Sequence, residues 1–132
     1  MRVYAIYIHD TKAEPFTDWI LDGKKTIETR TRNVLHNMLG NRVLIIRTRS
    51  GHDAEIVGSV FIYDYGFYTK EQLDGIRDKT CIAPESRFNE CKAGKWCYFL
   101  KNPHRCDKPI PLKELTVYKR TMSFAEVSWP IE

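Results

Sequence analysis

Residues 23–30 read Gly-Lys-Lys-Thr-Ile-Glu-Thr-Arg, and this stretch decides how the chain on either side of it is interpreted. Its glycine favours the end of a preceding helix, and its β-branched residues favour a following strand. Because side chains alternate along a strand, Glu28 and Arg30 share one face and Ile27 points to the other. If Ile27 faces the core, the other face lines a cleft that the long side chain of Lys25 reaches from the turn.

Short strands, turns and a few short helices surround this stretch. The helix before it carries Phe16, Trp19 and Ile20 on one face, and the sequence Thr69–Gln72 has the form of a capping box. Strands are predicted at residues 2–8, 26–30, 42–47, 56–65, 96–100, 110–115 and 124–127, and helices at 15–21, 34–39, 69–76 and just after Pro84. Gly58 is predicted to mark a β-bulge. The pattern lacks the regular alternation of a doubly wound sheet, so we predict an α+β fold, a mixed β-barrel with short flanking helices.

Length and composition fit one domain over residues 1–132. No apolar run approaches the ~20 residues of a spanning helix, and residues 1–8 are interpreted as a buried strand rather than a signal peptide. We therefore expect a cytoplasmic protein without membrane contact. The four cysteines show neither a C-x-x-C pair nor a histidine at ligand spacing. This favours free thiols over two disulfides, and we expect no metal and no cofactor.

The net charge of +4 is unevenly distributed along the chain. Seven basic residues and one acidic residue lie between residues 24 and 49, and eight basic and two acidic residues lie between 91 and 120. The segment between them, residues 51–90, holds eight acidic and four basic residues. Such a pattern can fold into one basic face that attracts a polyanion such as nucleic acid, or into solvated loops and strand ends.

The charged residues of the 23–30 stretch complement one another. Glu28 can orient Lys25 or Arg30 through a charge-assisted hydrogen bond. A carboxylate between cations gives geometric order, which suits recognition of a specific polar group better than attraction of phosphate alone. The alternative is a surface ion-pair cluster of little energetic value.

This stretch resembles the G-x-K-x-x-E-x-R signature of ASCH domains, which are related to PUA domains, at Gly23, Lys25, Glu28 and Arg30. The preceding helix and the following Arg-Val-Leu-Ile-Ile strand are also similar to the family. Near the end, residues 96–103 and 109–112 resemble its penultimate strand and Asn-Pro turn. The resemblance spans most of the chain and is weakest over residues 66–93.

The resemblance implies a PUA-like β-barrel whose cleft is lined by the motif, and a role in RNA binding, RNA metabolism or translation. One branch of the family resembles amidohydrolases of acetylated cytidine, with a threonine nucleophile that aligns with Glu28 here. Another branch is ribonuclease-like and uses a lysine at the position of Lys25, with a tyrosine six residues earlier. That earlier position is Trp19 in this chain.

Two further features are candidates for contact or chemistry. Phe61, Tyr63, Tyr65, Phe67 and Tyr68 form an aromatic tract in which Phe61 and Phe67 are expected in the core and Tyr65 and Tyr68 as contact residues. His9-Asp10 ends the first strand, and either serves acid–base chemistry or is a strand end with a turn-forming aspartate. Residues 102–105 are expected to form a turn that presents Arg105.

Two hypotheses follow for the function. The first is a domain that binds single-stranded or structured RNA, or a nucleoside, in the motif cleft. The second is a small hydrolase of RNA or a modified nucleoside that uses Lys25 and Glu28 as catalytic groups. A protein-interaction module explains the fold but not the motif. The predicted binding residues are Lys24, Lys25, Thr26, Glu28, Arg30, Arg32, Tyr65, Arg105 and Lys108.

Overall fold

Strands dominate the chain, as the spacing of its apolar residues predicts. The computed structural model describes residues 1–130. Its strands are β1 (Arg2–His9), β2 (Ile27–Arg30), β3 (Asn41–Arg49), β4 (His52–Thr69), β5 (Gly94–Pro111), β6 (Val117–Arg120) and β7 (Phe124–Ser128). Its α-helices are α1 (Phe16–Leu21), α2 (Lys70–Asp74) and α3 (Arg77–Thr80), and 3₁₀ turns cover His36–Met38, Arg87–Asn89 and Leu112–Glu114.

The strands of residues 1–130 form one mixed sheet in the order β2-β5-β4-β3-β1-β7-β6. Strands β1 and β3 are parallel, and the other neighbouring pairs are antiparallel. The α+β class predicted from the sequence is therefore confirmed. None of the helices in residues 1–130 is long and apolar enough to cross a membrane.

The centre of the sheet is buried on both faces, which explains the continuous apolar run at residues 43–46. Val43 and Ile45 of β3 pack into the larger core, which α1 covers, whereas Leu44 and Ile46 pack into a second core on the opposite face. A third, smaller cluster joins Ile27 to Leu73 and Cys97. These clusters hold β1 and β2, which bear the candidate site, against the rest of the sheet.

The predicted closed barrel is not confirmed. Strands β2 and β6 end the sheet formed by residues 1–130, and backbone hydrogen bonds do not join them. The sheet curves strongly all the same. Arg30 of β2 donates from Nη2 to the carbonyl oxygen of Tyr7 in β1 at 2.7 Å, although three strands separate β2 from β1 in the sheet order.

Several local predictions are confirmed. Gly58 lies at a register shift in the pairing of β4 with both neighbours, so it marks an irregularity of the ladder. A Cβ atom there would come within 2.4 Å of the carbonyl oxygen of His104, which requires glycine. Thr69 caps α2 in a capping box with Gln72. Gly23 follows α1 with φ of +80°, a backbone angle that favours glycine.

Other local predictions are wrong. Within residues 34–39 the chain forms only a short 3₁₀ turn instead of a helix. The strand predicted at residues 110–115 ends at Pro111, and a second 3₁₀ turn follows. Residues 102–105 are not a turn between strands, because β5 continues through them with Asn102 at φ of +52° and a register shift opposite β4. An extra residue is absorbed there as a bulge, so the Asn-Pro pair bends a long strand without ending it. Strand β6 was not predicted.

Candidate functional site

The 23–30 stretch adopts the arrangement that its alternation predicts. After the turn at Gly23, β2 pairs with β5 and places Glu28 opposite Tyr98 and Arg30 opposite Trp96. Ile27 is buried in the small cluster beneath α2. Glu28 and Arg30 therefore face the other way, into a cavity of about 230 Å³ that Lys25 also lines.

Lys25 is more deeply buried than a residue at a turn is expected to be. Only 1% of its side chain is exposed. Its Nζ donates to the carbonyl oxygen of Thr80 at 2.5 Å and lies 3.6 Å from Oε1 of Glu28 and 5.0 Å from the ring centroid of Phe16. Burial lowers the pKa of the Lys25 ammonium, and the charge of Glu28 opposes that shift.

Glu28 holds two cations at once. Its Oε1 faces Lys25, and its Oε2 accepts a hydrogen bond from Nε of Arg30 at 3.0 Å. Arg30 is fixed at its other end by the carbonyl oxygen of Tyr7. The predicted complementarity of these three side chains is therefore present, and it lies largely out of solvent, with 12% of Glu28 and 17% of Arg30 exposed.

Lys95 is a fourth charged residue at this cavity, and no sequence pattern predicted its place there. It is buried at the start of β5, lines the cavity, and donates to the carbonyl oxygen of Phe88. Burial lowers the pKa of its ammonium, which no carboxylate approaches closely enough to form an ion pair within residues 1–130. The strand predicted at residues 96–100 begins next to Lys95, but no local pattern predicted that the carbonyl of Phe88 binds this lysine.

A larger groove of about 930 Å³ lies on the other side of the segment around Asn89, lined by residues such as Phe67, Lys70, Arg77 and Lys92. This groove is open to solvent. Its Arg77 already donates hydrogen bonds to Asp74, Asn89 and the carbonyl oxygen of Ile82. The smaller cavity holds the buried charged side chains, so it is the better candidate for a specific site.

The remaining predicted residues are dispersed. Exposed Lys24 lies over the ring of Trp19 at 4.6 Å, and Thr26 uses its backbone to pair with Lys79 and Leu100. Arg32 is exposed beyond the end of β2. None of these three residues lines the 230 Å³ cavity.

Arg105, Lys108 and Tyr65 also lie outside the cavity lining. Arg105 donates to Asp18 of α1 and to Asp22 just after it, each at 2.9 Å, and these contacts raise the pKa of its guanidinium. Lys108 lines a separate pocket on the opposite part of β5. Tyr65 is half-buried and stacks on Tyr98, with ring centroids 6.0 Å apart.

His9 and Asp10 do not form a catalytic pair. The carboxylate of Asp10 accepts hydrogen bonds from the backbone N–H and the hydroxyl of Thr17, at 2.9 and 2.5 Å, so it fastens the start of α1 to β1. His9 lines the cavity and contacts Thr48 through Nδ1 at 3.1 Å. The interpretation of Asp10 as a structural residue at a strand end is confirmed. No group of three or more His, Cys, Asp or Glu side chains in residues 1–130 is placed to hold a metal.

Comparison with known proteins identifies the fold. The chain is similar to the structure titled ASCH from Zymomonas mobilis, with 19% identity over 97% of this chain and 88% of that one, at a TM-score of 0.68. A serine-to-alanine variant of that protein gives 17% identity over 97% and 89%, at 0.69. A tyrosine-to-phenylalanine variant gives 20% over 83% and 76%, at 0.65. No protein-family model and no curated protein sequence matches the chain.

Proposed function

The chain has the fold of ASCH proteins, and from that premise we propose that it is a small RNA-binding domain of RNA metabolism or translation-related regulation. The cavity of Lys25, Glu28 and Arg30 receives one nucleotide unit of the bound RNA. The observation that carries this proposal is the buried arrangement at the wall of one cavity. One oxygen of Glu28 faces Lys25 and the other faces Arg30.

The size of the cavity supports recognition of a single unit. Its volume of about 230 Å³ is below the roughly 300–1,000 Å³ of drug-sized ligand pockets. A base or nucleoside suits such a space, while a longer stretch of RNA has to follow the surface. Exposed Lys24, next to Lys25 in the motif, and exposed Arg32, just beyond it, supply phosphate contacts there.

Binding to a panel of tRNA, single-stranded RNA and duplex DNA tests the proposal. At about 50 mM salt, where phosphate contacts are strongest, we expect both RNAs to bind and Arg30→Gln to weaken them by at least about tenfold, because it removes a charged donor. Lys92→Met, a change at an exposed lysine outside the cavity, is the matched control. Absence of RNA binding by the unaltered protein, or equal loss in both variants, contradicts the proposal.

Hydrolysis of RNA or a modified nucleoside is the second candidate, and one observation favours it. Burial lowers the pKa of Lys25, and a carboxylate oxygen of Glu28 lies 3.6 Å from its Nζ, so an ammonium and a carboxylate meet at the wall of one cavity. Lys25 would then stabilise an oxyanion, and Glu28 would act as acid or base.

Turnover of RNA and acetylated nucleosides tests this candidate. We expect Lys25→Met to abolish product formation while circular dichroism and thermal unfolding show that the domain remains folded. If the unaltered protein and Lys25→Met leave the substrates equally intact, the protein is not a hydrolase of these substrates.

A further inference from the structure

The charges that line the cavity do not balance. Three side chains, Lys25, Arg30 and Lys95, are cationic, and one, Glu28, is anionic, which leaves a formal charge of +2 when His9 is neutral. A buried site with two uncompensated positive charges is costly in the absence of a ligand. Structural ion-pair networks normally avoid this, because each buried cation gains a carboxylate.

Glu28 directs both of its oxygens at other cations, and it forms no ion pair with Lys95 within residues 1–130. One of its oxygens faces Lys25 at 3.6 Å and the other accepts from Arg30 at 3.0 Å. Lys95 is only 6% exposed, and its hydrogen bond goes to the neutral carbonyl of Phe88. Lys95 therefore uses one of its three N–H donors, and its charge has no ion-pair partner within residues 1–130.

The cations retain donors that can reach a ligand. An ammonium has three N–H donors, and a guanidinium has five. Lys25 directs its donors to Thr80 and Glu28, and Lys95 donates to Phe88. Arg30 uses Nε and Nη2, so its Nη1 is uncommitted within residues 1–130.

We propose that the cavity binds a phosphate monoester, the terminal phosphate of an RNA or of a nucleotide, and that Lys95 completes the site. A phosphate monoester carries a charge of about −1.5 to −2 near neutral pH, which matches the surplus, whereas an internal phosphodiester carries only one negative charge. The inference rests on the proposed function, because it assigns the chemical class of the ligand that enters the same cavity. Burial lowers the pKa of both the Lys25 and the Lys95 ammonium, so an anion bound in the cavity would stabilise their charged forms.

The experiment compares ligands that differ only in the terminal phosphate. Isothermal titration calorimetry is carried out with one mixed-sequence single-stranded RNA that bears a 5′-phosphate, a 3′-phosphate or hydroxyl groups at both ends. The same series is run with mixed nucleoside monophosphates, the corresponding nucleosides and inorganic phosphate, which separates RNA ends from free nucleotides. We expect at least one phosphorylated ligand to bind about 10- to 100-fold more tightly than its hydroxyl counterpart.

Variants at Lys95 test whether this residue causes the difference in affinity between phosphorylated and hydroxyl-ended ligands. In Lys95→Met the preference for phosphate should fall to about twofold or less, whereas Lys95→Arg should keep most of it and Lys92→Met all of it. Thermal unfolding verifies that each variant is folded, and Lys95→Arg tests the role of charge independently of Lys95→Met.

The outcomes separate this inference from the proposed function. If hydroxyl-ended RNA binds as tightly as phosphorylated RNA and still depends on Arg30, RNA binding stands and the phosphate site is overturned. A phosphate preference that survives unchanged in Lys95→Met also overturns the role of Lys95. If no RNA and no nucleotide binds, both proposals fall.

Discussion

Two charged clusters of this domain both combine basic side chains with carboxylates, and they differ in how the charges are matched. Outside the cavity, Arg105 lies between Asp18 and Asp22 at 2.9 Å from each, and all three side chains are at least 45% exposed. Inside the cavity, Lys25, Arg30 and Lys95 share one carboxylate, that of Glu28. The first cluster has more acid than base, and the second has more base than acid.

The difference shows that a basic residue is available to a ligand only where the fold leaves its charge unmatched. Exposed pairs such as those of Arg105 contribute about 0–1 kcal/mol to stability, because water already solvates both ions. A buried cation lacks this solvation, so the presence or absence of an ionic partner has a large effect on the free energy of unfolding. Three changes test this contrast, beginning with the one expected to have the largest effect.

Replacing Glu28 with Gln should have the largest effect on stability. It removes the one carboxylate that residues 1–130 place at the cavity, so Lys25 and Arg30 lose their acidic partner. We expect the free energy of unfolding to fall by about 3 kcal/mol or more. Urea denaturation near neutral pH measures the change. Asp18→Asn is the control, with an expected loss of less than about 1 kcal/mol because its pair with Arg105 is exposed. Equal losses in the two variants would show that burial does not distinguish the clusters.

Replacing Lys95 with Met should stabilise the ligand-free protein by about 1 kcal/mol near neutral pH, because it removes a buried charge that has no counter-ion. The gain should shrink as pH rises. The pKa of folded Lys95 lies below that of the unfolded chain, so above it the unfolded state binds more protons and the unaltered protein becomes more stable. Urea denaturation of both proteins at several pH values from about 7 upwards measures the difference.

The charged and titratable neighbours of Lys95 are present in both proteins, so their own titrations largely cancel in that difference. They are Lys25, Glu28, Arg30, His9, Cys91 and Cys97. Burial raises the pKa of the Cys97 thiol to about 11, so Cys97 stays neutral over most of this range. A Lys95→Met protein that is less stable at every pH would mean that the bond to Phe88 outweighs the cost of the charge.

The smallest expected effect comes from releasing Arg105. The double change Asp18→Asn and Asp22→Asn removes both of its carboxylate partners and should alter the free energy of unfolding by about 1 kcal/mol or less. If Arg105 then contacts an RNA phosphate, the slope of log affinity against log salt should steepen by about 0.7 for single-stranded RNA. An unchanged slope would show that Arg105 lies away from the RNA path altogether.

The sequence predicted the features that depend on neighbouring residues along the chain. The turn at Gly23, the alternation that puts Glu28 and Arg30 on one face, and the capping box at Thr69 each need only a few adjacent residues, and each is present. The length of β4 and β5 was not predicted, because Gly66 and the Asn102-Pro103 pair suggested breaks. Gly66 pairs with Cys97 without a register shift, and the Asn102-Pro103 pair is absorbed as a bulge.

The sequence could not predict which charges are matched, because the partners come from distant parts of the chain. Asp18 lies 87 residues before Arg105, and Thr80 lies 55 residues after Lys25. Lys95 is buried only because the segment that contains Phe88 folds over it. That segment belongs to the part of the chain where no motif gave guidance, so neither its position nor the burial of Lys95 followed from local pattern.

The two lysine-to-carbonyl bonds also bear on how fast one wall of the cavity opens. Lys25 holds the carbonyl of Thr80, and Lys95 holds that of Phe88, so one wall of the cavity is fastened to the sheet at both ends. An ammonium donates a stronger hydrogen bond than a neutral amine, so we expect deprotonation of these lysines to loosen the wall, which Arg77 also holds at Ile82. Hydrogen exchange at the amides of residues 81–88 should report that opening rate and its acceleration as the lysines lose their protons.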